Sequence, residues 1–222
     1  MEREAFLTRV RKATETAHLP PHPSVDPGLL VPDLGDVDLI TLFVSRCEEA
    51  EAIVHRPAGR GDVPQLLVDI ARNHGATSFV SWDDDFLPVI GGAAALRAAG
   101  LDRVSGVVPD GRRFDHQMGY LELSLGLTGA EAGLAESGTI VLRSGIGRPR
   151  MASLVPLTHI ALLRSDRIHR SLSHWAVAEA RTIPDAANVV FITGPSKTGD
   201  IEQNINVGVH GPRYVHVVLI DP

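Results

Sequence analysis

Two glycine-rich turns hold most of the residues in this chain whose types and spacing suit ligand chemistry. The first is Gly194-Pro-Ser-Lys-Thr-Gly-Asp-Ile-Glu-Gln203, which follows the apolar run 188–193. Gly194 permits unusual φ, Ser196 and Thr198 supply hydroxyls, and Lys197 supplies a point charge. The N–H groups of a following helix start would point at a bound anion. Asp200 and Glu202 are placed to cap that helix, to pair with Lys197 or to orient a substrate hydroxyl, and Asp200 is a candidate acid/base group. The spacing is not that of a Walker A loop. An ordinary helix N-cap with acidic residues in its first turn explains the same residues. Gly208-Val-His-Gly-Pro212 follows closely and brings His210 and Gly211 towards the same rim.

The second turn is Ala135-Glu-Ser-Gly-Thr-Ile-Val-Leu142. Glu136 is a candidate base or nucleophile, Ser137 and Thr139 offer hydroxyls, and Gly138 removes a side chain that would block close approach. A tight hairpin turn with an exposed Glu and Ser is the alternative. Arg143, Arg148 and Arg150 follow within a loop bounded by Pro149 and Pro156. Arg148 and Arg150 suit a carboxylate or phosphate through bidentate pairing, and a solvated loop accounts for them equally well.

These turns need elements to position them. Residues 2–17 read as a helix, followed by the proline-rich run 18–28, so residues 1–35 are expected to form an arm. Residues 36–222 then form one α/β domain. From residue 38 the pattern alternates: helices over 38–51, 62–74 and 85–99, with short strands at 52–55, 77–82 and 103–108. Glycines at 75 and 100 mark helix ends. Such alternation predicts crossover units and a mainly parallel sheet with flanking helices. Further strands are expected at 121–128, 139–143, 159–163, 188–193 and 214–221, with a helix over 171–181. The strand 189–193 is expected to deliver the Gly194 turn at a carboxyl end, where parallel sheets bind ligands.

Composition excludes several classes. The 222 residues carry a formal charge of −6, which argues against a nucleic-acid partner. The single cysteine, Cys47, forbids an internal disulfide or an iron–sulfur cluster in this chain; it reads as a small packed side chain. No run approaches the roughly 18 apolar residues of a membrane span. The charged start Met1-Glu-Arg-Glu lacks a signal-peptide core, so a cytoplasmic location is expected. Ten histidines invite a metal, but none shows a ligand spacing, and no metal site is assigned. Asp83-Asp-Asp85 reads as a solvated acidic turn, and Trp175 as a packed residue on its helix.

Four motifs occur in one order: 126–142, Gly147-Arg-Pro-Arg-Met-Ala-Ser-Leu154, 194–203 and 208–212. Together they resemble the short, stand-alone members of the lactate-utilization (LUD) domain family, over roughly residues 38–222. Gly199 stands where members often carry alanine. The resemblance implies a fold like that of ribose-5-phosphate isomerase, glucosamine-6-phosphate deaminase and coenzyme A transferases. It also implies oxidation of L-lactate to pyruvate alongside iron–sulfur proteins, with no cofactor held by this chain. A small anionic ligand between the Glu136 and Gly194 turns is expected, and a homo-oligomer is left open. Glu136-Ser-Gly138 also looks like the Glu-Asn-Gly signature of coenzyme A transferases, with Ser137 replacing the asparagine. A stand-alone enzyme on a sugar phosphate or thioester, and a non-catalytic scaffolding subunit, are the competing readings.

Overall fold

The structure, a computed structural model, describes residues 3–16, 35–107, 123–179, 186–199, 205–208 and 210–222. The chain divides into Met1–Leu30 and Val31–Pro222. The first unit contributes one helix, α1 (Arg3–Thr16); the proline-rich run falls outside the described residues.

The second unit opens with α2 (Leu39–Glu49), whose N-cap Asp38 accepts from Ile40 N and Thr41 N. β1 (Ile53–His55), α3 (Val63–Asn73), β2 (Ser78–Ser81), α4 (Gly92–Ala98) and β3 (Asp102–Arg103) follow. β4 (Leu125–Ala130), β7 (Thr158–Arg164) and β12 (Tyr214–Ile220) complete a six-stranded sheet in the order β1-β12-β7-β4-β2-β3, parallel throughout. Parallel strands covered on both faces read as continuous apolar runs, and His159-Ile-Ala-Leu-Leu163 is one. Its side chains are fully buried, as are those of Phe43, Leu67, Leu96 and Leu127 in the same core.

A second, four-stranded sheet has the order β8-β5-β6-β9, formed by β5 (Ala132–Leu134), β6 (Thr139–Ser144), β8 (Ile168–His169) and β9 (Asn188–Ile192). β6 runs antiparallel to both of its neighbours. Helix α5 (Leu172–Glu179) packs Trp175 into the small core of this sheet, beside Ala132, Leu134 and Val141. β10 (Lys197–Gly199) and β11 (Ile205–Val207) form a separate antiparallel pair.

Two expectations need correction. The helix expected over 85–99 begins only at Gly92, after a 3-10 turn at Asp84–Phe86. Pro88 restricts the residue before it, and Gly91 sits at φ 92°, so a continuous helix cannot form. The run 189–193 is not a parallel strand: it is the antiparallel edge of the second sheet, and residues 197–199 extend as a strand where a helix start was expected.

Gly126 lets the 3-10 turn at Arg150–Ser153 lie directly on β4, because a Cβ there would overlap the Ala152 carbonyl oxygen. Gly126→Ala should therefore destabilise the protein by roughly 2–3 kcal/mol. A melting temperature lowered by roughly 5–10 °C checks this; an unchanged one would contradict it.

Candidate functional site

The chain order of the parallel sheet reverses between β2 and β4. β2 leads outward to β3, whereas β4 leads the other way to β7 and β12. Open α/β sheets hold ligands beyond the carboxyl ends of their strands at such a reversal. The crevice here is a cavity of about 400 Å³, walled by Trp82 and Phe86 after β2 and by Gly129, Ala130 and Glu131 at the end of β4. Four arginines line it: Arg143 from β6, Arg148 from the loop after β6, and Arg164 and Arg167 from the end of β7.

Three of the four are matched by carboxylates. Arg143 meets both oxygens of Glu131 and lies 3.9 Å from Glu179. Arg167 donates to Glu179 at 3.2 Å and to the Glu131 carbonyl at 3.2 Å. Arg164 grips Asp166 through Nε and Nη2, at 2.9 and 2.6 Å. Arg148 has no carboxylate partner among the described residues. Its Nε is buried without an acceptor, and its guanidinium lies 4.7 Å from the centre of the Phe86 ring. The loop carrying it is fixed on both sides: Asp83 N donates to Gly147 O at 2.8 Å, and Trp82 Nε1 donates to Pro149 O at 3.3 Å. Arg148 is thus a partly buried cation beside an aromatic ring, with one buried donor unused. Arg150 is exposed and lines a neighbouring open cavity with Asn188.

The two turns meet each other, but elsewhere. Gly138 (φ 65°) and Gly194 (φ 69°) both close on the last turn of α2, where a Cβ would strike Cys47 N and Ala50 O respectively. Cys47, fully buried, donates Sγ–H to the Gly138 carbonyl at 3.2 Å, and burial pushes its thiol up to about 12. A hydroxyl chain links the turns: Ser137 to Thr139 at 2.7 Å, and Thr139 to Thr193 at 2.7 Å. Glu136 is engaged, its Oε1 accepting from Leu172 N at 2.8 Å at the start of α5, whose N-cap Ser171 accepts through Oγ from His174 N at 3.3 Å. Lys197 pairs with Glu51 at 2.8 Å. Glu51 is itself held at φ 67° beyond the end of α2, a conformation that favours glycine. Ser196 donates its N–H to Pro212 O and accepts from Gly208 N, which joins the 208–212 stretch to this turn; His210 is exposed at its rim. The side chains of Thr198, Asp200 and Glu202 lie outside the described residues.

Arg148 follows the far end of β6 from Thr139. Six strand residues span roughly 17–20 Å, so Arg148 cannot share one small ligand with the Glu136 and Gly194 turns. The expected single site is thus two places. The residues missed from the sequence are Glu131, Arg164, Asp166, Arg167, Glu179 and the Phe86 platform. The available signal was position: Glu131 and Arg164-Ser-Asp-Arg167 stand immediately at the carboxyl ends of apolar strands.

Four histidines sit within or against the parallel sheet. His216 on β12, nearly buried, lies 2.9 Å from His55 through Nδ1 and 2.9 Å from His74 through Nε2. Using both ring nitrogens on separate neighbours makes a hydrogen-bonded chain, not a convergent ligand set. His159 on β7 is fully buried against the Thr128 hydroxyl at 2.8 Å. Burial holds His159 and His216 at about 3, well below the ordinary 6.5.

Two outcomes follow from these contacts. Glu136→Ala, which removes one acceptor from the first turn of α5 and leaves its Ser171 cap in place, should cost about 1 kcal/mol. Lys197→Ala, which removes a half-exposed pair, should cost no more than about 1 kcal/mol; urea denaturation of both variants checks the order. The unfolded chain binds protons at histidine near pH 6.5, whereas the folded chain refuses them until about pH 3. Stability is therefore complete above pH 6.5 and declines as pH falls towards 3. His159→Gln should make that decline shallower in denaturation series at stepped pH; an unchanged slope would contradict the assignment.

The LUD domain profile matches residues 40–220. Lactate utilization protein C of Geobacillus sp. (strain WCH70) is 32% identical, over 80% of this chain and 73% of its own length. Lactate utilization protein C of Shouchella clausii is 28% identical, over 99% of this chain and 97% of its own. The crystal structure of a DUF162 family protein from Deinococcus radiodurans superimposes with a TM-score of 0.59 at 21% identity, covering 82% of this chain and 96% of that one. That likeness concerns the fold, and the sequence matches carry the kinship: the chain belongs to the LUD domain family.

Proposed function

We propose that this chain is a subunit of a cytoplasmic L-lactate utilization system that oxidises L-lactate to pyruvate beside iron–sulfur proteins, and that it contributes a binding site for a small anion. Relatives named lactate utilization protein C support the first part. The second part rests on Arg148, a guanidinium without a carboxylate partner among the described residues, at the reversal point of the parallel sheet. The single cysteine agrees with iron–sulfur electron carriers lying in other chains. No helix among the described residues is long and apolar enough to cross a membrane.

Glu51 pairs with Lys197, the cation that favoured an anion between the turns, and the start of α5 engages Glu136, the candidate acid/base there. The anion site of this proposal is therefore the arginine cleft, with the turns as its distant structural support. Co-purification of the chain at native levels, followed by L-lactate oxidation assays with and without it, tests the role. The expected result is recovery with iron–sulfur proteins and loss of lactate oxidation when the chain is omitted. Undiminished oxidation in its absence would overturn the reading.

A further inference from the structure

Three imidazoles bridge the end of α3 to the edge region of the parallel sheet. His216 on β12 stands between His55 on β1 and His74, the C-cap of α3. The His55 and His216 ring planes lie 16° apart with facing nitrogens 2.9 Å apart, which suits an in-plane N–H···N bond. His74 meets His216 edge-on, at 74°, and lies against Tyr214 with 4.4 Å between ring centres. His55 and His74 are half-buried, and His216 is nearly buried. Burial lowers the proton affinity of all three below the ordinary histidine value.

The number of hydrogens limits the charge this chain can carry. A neutral imidazole has one N–H and one lone pair, so His216 donates to one neighbour and accepts from the other. Each of the two bonds holds one hydrogen, and the outward Nδ1 of His55 and of His74 can each hold one more. The intact chain therefore accepts a single proton beyond its neutral state. That proton enters at either outer Nδ1 and can pass along both bonds, leaving each ring it crosses as the other tautomer. A second proton sets N–H against N–H at one contact, and that bond breaks. β1 and β12 are hydrogen-bonded neighbours with Ile53 opposite His216, so the ladder fixes the spacing of His55 and His216. His74 reaches the sheet from a helix end, and its contact with His216 is the one that gives way. The charged groups nearby are Arg56, Asp62 and Asp69 in the cavity that His55 borders, Arg213 over the Tyr214 ring, and His159 on β7. None of them is a hydrogen-bond partner of the three rings among the described residues.

We propose that His55, His216 and His74 form a proton-operated latch: with at most one added proton the chain holds the end of α3 on β12, and a second proton opens the His216–His74 contact and loosens that end while the sheet stays folded. Because burial disfavours the charged rings, the latch is closed at neutral pH and opens as pH falls. It shares no residue with the arginine cleft and stands or falls apart from the anion site.

Nitrogen-15 NMR titration of the imidazoles in the full chain, from about pH 8 down to about pH 4, with amide exchange measured at each step, tests this. The expected result is that the chain takes its first proton with no loss of amide protection. The second is taken at lower pH, and with it the protection of the His74, Gly75 and Ala76 amides, which close the end of α3, falls about tenfold. The amides of β7 stay protected through that step. His74→Gln keeps a side chain able to donate to or accept from His216 but unable to titrate, and it should abolish the loss of protection. Three results would overturn the proposal. The first is protection at the end of α3 that stays unchanged throughout the range, whatever the number of protons taken. The second is a loss that survives in His74→Gln. The third is β7 opening at the same pH as the end of α3, which would make the event global unfolding.

Discussion

The ion pair between Glu131 and Arg143 sits at the junction of the two sheets of this protein. Glu131 is the hinge residue between β4, the fourth strand of the parallel sheet, and β5 of the second sheet; Arg143 lies on the neighbouring β6. Glu131 N donates to Val141 O, so backbone and side chain both hold the junction. With both partners largely buried, breaking the pair would strand a charge, a costlier event than losing a surface pair. The pairing also decides the chemistry next to it. Because Glu131 is committed to Arg143, and Glu179 to Arg167, neither carboxylate neutralises Arg148.

In the proposed reading, the cleft and the two glycine turns divide the labour between binding and support. Gly138 and Gly194 approach α2 so closely that no side chain fits, and their left-handed φ values suit the same packing. Described polar side chains around them have partners: hydroxyl on hydroxyl, Glu136 on the N-terminus of α5, Lys197 on Glu51. A motif rich in glycine, hydroxyls and charge can therefore mark a family without holding its ligand. The requirement here is close packing of a helix end against two glycine turns.

Much of the fold was legible in the sequence, because its parallel strands are apolar on both faces and its helices carry clear stops such as Gly75 and Gly100. The spans at Leu39–Glu49, Val63–Asn73 and Tyr214–Ile220 lie within two residues of those read from periodicity. Periodicity does not report strand direction, which is why Asn188–Ile192 was read into the wrong sheet. The site was legible only in part. Arg148 stood out by chemistry and by its place in a loop, but Glu131, Arg164 and Arg167 are ordinary charged residues until the strand order brings them together. The sequestration of Glu136 by Leu172 depends on residues 36 positions apart, and that of Lys197 by Glu51 on a still longer separation. No local pattern encodes either.

The proposed function turns on place: a small anion is expected at Arg148, at the reversal between β2 and β4, and not at the Gly194 turn. A crystal structure of the protein grown with pyruvate tests this most directly. The account predicts a ligand carboxylate about 2.7–2.9 Å from the guanidinium nitrogens of Arg148, beside the Phe86 ring. Pyruvate bound instead at Lys197, with the Lys197–Glu51 pair opened and the cleft empty, would contradict it.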